Sequence, residues 1–227
     1  MESQCSHVFT DENGRVPARV MVIGLLGTNC YLVSDGEAPG APAMVIDPAG
    51  DADAILEQVG QRELRYIVCT HNHFDHVGAV AELARRTNAQ VVASVQDAPK
   101  IQTGQQGSLV GIEYCVEAAQ VDVRLEDGDV LELGSLAFKA IHTPGHTKGG
   151  MCFWLEGADG KFGMLFSGDT LFYGGTGRTD LEGGSAYELR ASLRTKLAAL
   201  PNETVVYPGH GGFTTIGAER RRTLEAF

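Results

Sequence analysis

The sequence predicts a layered α/β fold. Short apolar runs rich in β-branched and aromatic residues recur along the chain. Gly-rich turns, drawn from 29 glycines in 227 residues, separate those runs. A few segments with helical apolar spacing lie between them, a pattern that layers of sheet and helix produce.

The elements follow in order along the chain. Strands are expected at residues 20–26, 30–34 and 43–46, each dominated by Val, Ile, Leu, Met or Tyr. Asp51 is a candidate N-cap for a helix over 52–59, in which Ala54, Ile55 and Val59 can share one face. The run Tyr66-Ile67-Val68-Cys69 reads as a buried strand over 66–70, with Cys69 as a small core residue. A helix over 79–87 leads to a strand at 90–94. Residues 99–120 have a weak pattern and are expected to form an irregular excursion between two halves. Strands resume at 130–133, 136–141, 151–155 and 163–167. Ser185 should cap a helix over 186–199, where Leu189, Leu193 and Leu197 recur at spacing four. A strand at 205–207 and a helix at 216–227 complete the reading. Residues 1–227 are taken as a single domain, a length that supports a substantial core.

Composition narrows the function classes. Hydrophobic residues make up 43% and charged residues 21%, the balance of a soluble globular protein. A net charge of −11 disfavours nucleic acid and anionic membrane as partners, because phosphate binding wants clustered Lys and Arg. The five cysteines (Cys5, Cys30, Cys69, Cys115 and Cys152) are odd in number, scattered and without a C-x-x-C pair, so they read as reduced thiols. Residues 1–13 are polar and contain no apolar core of an export signal. No stretch reaches transmembrane length. A soluble, cytoplasmic protein with a small-molecule substrate is the expectation.

The sharpest local feature is Thr70-His71-Asn72-His73-Phe74-Asp75-His76, three imidazoles and a carboxylate in six residues. Neutral imidazole and carboxylate are the usual ligands of zinc and similar ions. The run follows a strand, so it should emerge as a loop at the strand's C-terminal end. The same grammar recurs at Thr143-Pro144-Gly145-His146, at Gly168-Asp169-Thr170 and at Pro208-Gly209-His210-Gly211. Scaffolds of this kind assemble sites from several strand ends. These motifs use five of the seven histidines. His7 lies in the polar N-terminal segment and is read as inert, and His142 as a packing or hydrogen-bonding residue.

In this order, T-H-x-H-x-D-H, T-P-G-H-T, G-D-T and P-G-H-G resemble the metallo-β-lactamase fold over about residues 24–215. The resemblance implies an αββα four-layer sandwich of two similar halves, with the site along one edge of the sheets. It implies that His71, His73 and His146 hold one metal, that Asp75, His76 and His210 hold a second, and that Asp169 bridges them. Asp75 and Asp169 are then the candidate catalytic carboxylates. Asp47 matches a position that supports the ligands from behind. The expected cofactors are two divalent ions: zinc, with iron or manganese as alternatives.

Within that superfamily, Gly168-Asp169-Thr170-Leu171-Phe172 followed by Gly174-Gly175-Thr176-Gly177-Arg178 is similar to glyoxalase II, the hydroxyacylglutathione hydrolases, of the short bacterial type. Arg178 falls where a basic substrate contact is expected. Two departures bear on the substrate. The chain ends at Phe227, before the helical extension whose basic residues bind glutathione in full-length glyoxalase II, and Gly212 stands where an aromatic contact is expected. Two ions roughly 3.5–4 Å apart lower the pKa of a shared water from 15.7 towards about 7. The expected reaction is hydrolysis of a glutathione-type thioester by the hydroxide so made, with metal stabilising the oxyanion. The alternative is a persulfide dioxygenase using one iron held by His71, His146 and Asp169. A serine hydrolase is disfavoured by the lack of G-x-S-x-G, and the Gly174–Gly177 run lacks the G-K-[ST] ending of a phosphate loop.

Overall fold

The computed structural model describes residues 5–9, 18–109, 111–157, 160 and 162–226, with the backbone alone described at 5–9. The side chains of Cys5 and His7, and Phe227 at the end of the expected last helix, lie outside the described residues. The chain divides into two compact units, Met1–Arg124 and Leu125–Phe227.

The first unit is built on a seven-stranded sheet. Its strands are β1 (Cys5–Phe9), β2 (Ala18–Ile23), β3 (Thr28–Ser34), β4 (Pro42–Ile46), β5 (Glu63–Val68) and β6 (Gln90–Ser94). Each lies beside the next in that order, and β9 (Val123–Leu125) closes the far edge. The first four strands pair antiparallel, while β4, β5 and β6 run parallel. Helices α1 (Ala52–Val59) and α3 (Val80–Thr87) make the two crossovers, and a single turn, α2 (Phe74–Val77), precedes α3. Asp51 caps α1 as its sequence position suggests, its Oδ1 accepting from the Ala54 N–H. The buried face of α1 is Ala52, Ile55 and Val59 rather than one that includes Ala54. Those positions are three and four apart and so stack on one side of the helix.

Residues 99–120 are more ordered than expected. They hold the end of a short helix, α4 (Ala98–Thr103), and a hairpin of β7 (Gln105–Leu109) and β8 (Ile112–Val116). Both strands alternate half-buried with exposed residues, and short alternation of that kind is weak in a segment rich in Gln, Gly and Ser. The first expected strand also ended too late, because Gly24 and Gly27 turn the chain with positive φ.

The second unit carries a six-stranded sheet in chain order. Its strands are β10 (Val130–Leu133), β11 (Leu136–His142), β12 (Met151–Glu156), β13 (Gly163–Gly168), β14 (Val205–Pro208) and β15 (Thr214–Thr215). Only β13 and β14 pair parallel, and their crossover contains α5 (Ala186–Thr195). The Ser185 hydroxyl caps α5 by accepting from the Glu188 N–H. Leu189, Leu193 and Leu197 are buried against Ile141, Cys152, Leu165 and Val206 of the sheet. The helical segment breaks after Thr195 into a 3₁₀ turn at Leu197–Ala199. The last helical segment is one α turn, α6 (Ile216–Glu219), followed by a π turn at Arg220–Leu224. None of Cys30, Cys69, Cys115 and Cys152 is in a disulfide; the first two and Cys152 are buried and Cys115 is exposed. Burial, and then the nearby Asp47 carboxylate, push the Cys30 and Cys69 thiols well up. Among the described residues no helix is long and apolar enough to cross a membrane.

Candidate metal centre

In each unit the candidate ligands stand just past strand ends. In the first unit, β4 runs into Asp47 and β5 into Thr70–His76. In the second, β11 leads to His146, β13 to Asp169 and β14 to His210. Parallel strands β4, β5 and β6 point their carboxyl ends the same way, so residues from separate stretches meet there.

Asp47 organises the first unit's set. It is buried and has a φ of 54°, a left-handed backbone that costs a residue other than glycine roughly 1–2 kcal/mol. Its carboxylate accepts three hydrogen bonds: from the Thr70 N–H (2.8 Å), from the Thr70 hydroxyl (2.7 Å) and from His76 Nδ1 (2.9 Å). The Thr70 hydroxyl has one proton, and Asp47 takes it. The contact of 3.0 Å between Thr70 Oγ1 and His71 Nδ1 is therefore donated by the imidazole. One carboxylate thus fixes two ring tautomers, in which Nε2 of His71 and of His76 carries the lone pair a metal needs. Asp47, His71 and His76 place potential ligand atoms within 4.8 Å of one another. The Asp47 oxygens are at the same time the acceptors of those three bonds.

The other ligand candidates of this unit are held by the backbone. The Thr28 hydroxyl donates to the Asp75 carbonyl (2.8 Å), and Asp75 Oδ2 lies 3.7 Å from His76 Nε2. His73 occupies the N-cap position of α2 without a side-chain capping bond, and its ring meets that of His71 edge-on at 4.8 Å. The loop is steadied by residues the sequence did not reveal. Buried Asp97 accepts from the Asn72 N–H (3.0 Å), Gln105 Nε2 donates to the Asn72 carbonyl (2.5 Å), and Tyr114 of β8 stacks on Phe74 at 4.1 Å. Asp97 lies just past the end of β6, so the strand-end rule that exposed the ligands also applied to it.

In the second unit, His146 Nδ1 donates to the Arg178 carbonyl (2.7 Å), which can only accept, so Nε2 again carries the lone pair. Asp169 Oδ2 lies 3.4 Å from His146 Nε2 and 3.8 Å from His210 Nε2. The hydroxyls of Thr143 and Thr170 meet at 2.8 Å and tie the His146 turn to the Asp169 turn. Gly177 must be glycine: a Cβ there would run into the Asp169 carbonyl and come within 2.8 Å of His146 Nδ1. Arg178 is exposed, with about half of its side chain open to solvent. Its guanidinium makes a two-point contact with Asp180, both bonds 2.7 Å, and holds that carboxyl down at about 2. His142 behaves as a hydrogen-bonding residue, with Nε2 2.8 Å from the Lys148 carbonyl.

The donor set fits a metal. Two ligands bonded at about 2.0–2.2 Å to one tetrahedral ion sit about 3.4 Å from each other. The separations of 3.4, 3.7 and 3.8 Å are close to that value, and the latter two are longer than a hydrogen bond.

Comparison with known proteins agrees with the motif order. The model of the metallo-beta-lactamase superfamily matches residues 23–210. The hydroxyacylglutathione hydrolase GloC of Haemophilus influenzae is 32% identical over 200 residues, which cover 85% of this chain and 90% of GloC. The crystal structure of BLEG-1, a B3 metallo-beta-lactamase, superposes with a TM-score of 0.78 at 32% identity, covering 89% of this chain and 95% of that one. The structure of TTHA1623 in a di-iron-bound form gives 0.71 at 34% identity, covering 88% and 96%. The α/β sandwich expected from the sequence is the fold of these proteins. The chain belongs to the metallo-β-lactamase superfamily, a family of metal-dependent hydrolases.

Proposed function

We infer that the protein hydrolyses a thioester, of the kind formed by an acyl group on glutathione, at a site holding two divalent ions. His71, His73 and His146 would hold one ion, Asp75, His76 and His210 the other, and Asp169 would bridge them. The observation that carries this reading is the position of Asp169: a single carboxylate oxygen lies at ligand-to-ligand spacing from two imidazole nitrogens, His146 Nε2 and His210 Nε2. Similarity to GloC supports the thioester, and similarity to TTHA1623 in its di-iron form supports two ions. Bound divalent metal supplies an acidified water and a Lewis acid for an acyl oxygen. The chain supplies the rest. Asp75 and Asp169 offset part of the metal charge. Thr70, Asp47 and the Arg178 carbonyl hold Nδ1–H of three histidines and keep Nε2 unprotonated. Zinc, iron and manganese all suit histidine and carboxylate donors.

The test joins metal analysis of the purified protein to a panel of S-lactoylglutathione, a lactone and glutathione persulfide. Two equivalents of metal and thioester turnover are expected. Oxygen uptake with the persulfide and no thioester hydrolysis would instead support a mononuclear-iron dioxygenase. Replacing the bridging carboxylate, Asp169→Ala, should remove one or both ions and lower turnover at least about a hundredfold, since metal polarisation contributes several kcal/mol. Full turnover in that variant overturns the assignment.

A further inference from the structure

The loop after Asp169 carries an aromatic–cation pair that the metal chemistry does not use. Tyr173 is 63% exposed, and the Arg222 guanidinium carbon lies 5.0 Å from the centre of its ring. Phe172, the preceding residue, places its ring 6.2 Å from that of His210, edge to face. Gly174 follows, and a Cβ there would lie 3.6 Å from Arg222 Cδ, so the arginine stem runs along this loop. Through Phe172 the loop that carries Tyr173 reaches the His210 ring.

Three arginines are consecutive at 220–222, and they are not equivalent. Arg220 is committed to structure: it donates to Asn202 Oδ1 and to the carbonyls of Ala198 and Leu200. Arg222 comes within 3.6 Å of Glu219 Oε1, longer than a hydrogen bond, and that buried carboxylate already accepts from the hydroxyls of Thr214 (2.8 Å) and Thr223 (2.6 Å). About half of the Arg222 side chain is solvent-exposed. Arg178, the cation expected from the sequence to meet substrate, has both its Nε and its Nη2 engaged by Asp180. Both arginines are about half exposed and both are ion-paired, but Asp180 holds Arg178 at two points whereas Glu219 meets only Nη1 of Arg222. That leaves Arg222 more donors for an anionic substrate group in a chain of net charge −11.

We propose that Arg222, laid over Tyr173, binds a carboxylate of the substrate remote from the thioester, and so selects thioesters with an anionic tail. The tyrosine ring holds the guanidinium plane by cation–π contact and leaves its edge to form a charge-assisted bond. This role rests on the thioester reading above. It also gives the chain a cation from its own last turns, beside the loop on which Arg178 is occupied.

The test compares wild type with Arg222→Gln, Arg222→Lys, Tyr173→Leu and Arg178→Gln on two substrates. One is S-lactoylglutathione, and the other is a neutral acyl thioester of N-acetylcysteamine. Binding of S-methylglutathione, which cannot be hydrolysed, is measured in parallel by calorimetry. An exposed charge-assisted bond should be worth about tenfold in affinity. Arg222→Gln should therefore raise KM for the glutathione thioester about tenfold at unchanged kcat and leave the neutral thioester alone. Lys should restore part of the loss. Tyr173→Leu, at an exposed position, should weaken S-methylglutathione binding without affecting folding, and Arg178→Gln should change KM least. Unchanged KM and S-methylglutathione binding in Arg222→Gln and Tyr173→Leu overturn the proposal, even with the thioesterase intact. If wild type cleaves neither thioester yet Arg222→Gln still loses S-methylglutathione binding, the thioester reading fails and the anion contact stands.

Discussion

Asp47 sits in a left-handed backbone conformation that most residues other than glycine, asparagine and aspartate avoid, and three hydrogen bonds hold it there. Its effect on chemistry runs through two imidazoles, one contacted directly and one through the Thr70 hydroxyl. Asp47→Asn keeps the shape but replaces one acceptor oxygen by a donor, so either His76 or Thr70 loses its partner. Loss of such a supporting contact typically weakens metal binding by roughly 10–100-fold. Competition with a chelating dye measures this directly, and an affinity equal to wild type would show that the tautomers are fixed by something else. From sequence alone, Asp47 was only an Asp before Pro48 that matched a family position. Its geometry depends on pairing between β4 and β5, which brings Thr70 across from it. By contrast His71, His73, Asp75 and His76 were legible because they crowd into six residues.

Among elements, the β11 strand end and the segment after α5 are linked by Asp127. It accepts from the His142 N–H (2.8 Å) and pairs with Lys196 (2.9 Å), whose ammonium also donates to the His142 carbonyl (2.6 Å). Burial works against the Asp127 charge, but the Lys196 bond and the His142 N–H outweigh it, and its pKa is lowered. A carboxyl depressed in the folded state stabilises above its unfolded pKa of about 3.9, and the effect is lost as pH falls through the folded value. Because the group is about half exposed, Asp127→Asn should cost well under about 1 kcal/mol at pH 7. In urea unfolding the gap between variant and wild type should hold at neutral pH and narrow once the pH drops below about 3.9, closing as it passes the lowered folded value. A gap that does not narrow at all on acidification through that range would mean that the loss is not electrostatic. The capped and amphipathic elements here, α1 and α5, were readable from sequence since cap and apolar stripe are local signals. The β7–β8 hairpin was not, because its order rests on non-local contacts such as Tyr114 on Phe74 and Gln105 on Asn72.

For the whole molecule, metal should stabilise the fold without creating it. Both units have extensive apolar cores of their own, and three of the five candidate ligand histidines, His71, His76 and His146, are oriented by protein oxygens. Ligand linkage gives about 4.1 kcal/mol at a free metal concentration 1,000 times Kd. For a chain of this size that corresponds to a Tm lower by roughly 10 °C after chelation. Circular dichroism should retain its folded spectrum after chelation, and added zinc should return the Tm. Collapse of the spectrum on chelation would indicate instead a fold that forms only around its ions.

The hydrogen bonds of Asp47 also bear on how such a protein could diverge. On the proposed division of ligands, His71 and His76 serve different ions, and one carboxylate steadies both. A change at position 47 would erode both occupancies together. A lineage moving to a single ion could do so through His73 or His146 for one ion, or Asp75 or His210 for the other, each of which belongs to one ion alone, while Asp47 stayed as it is.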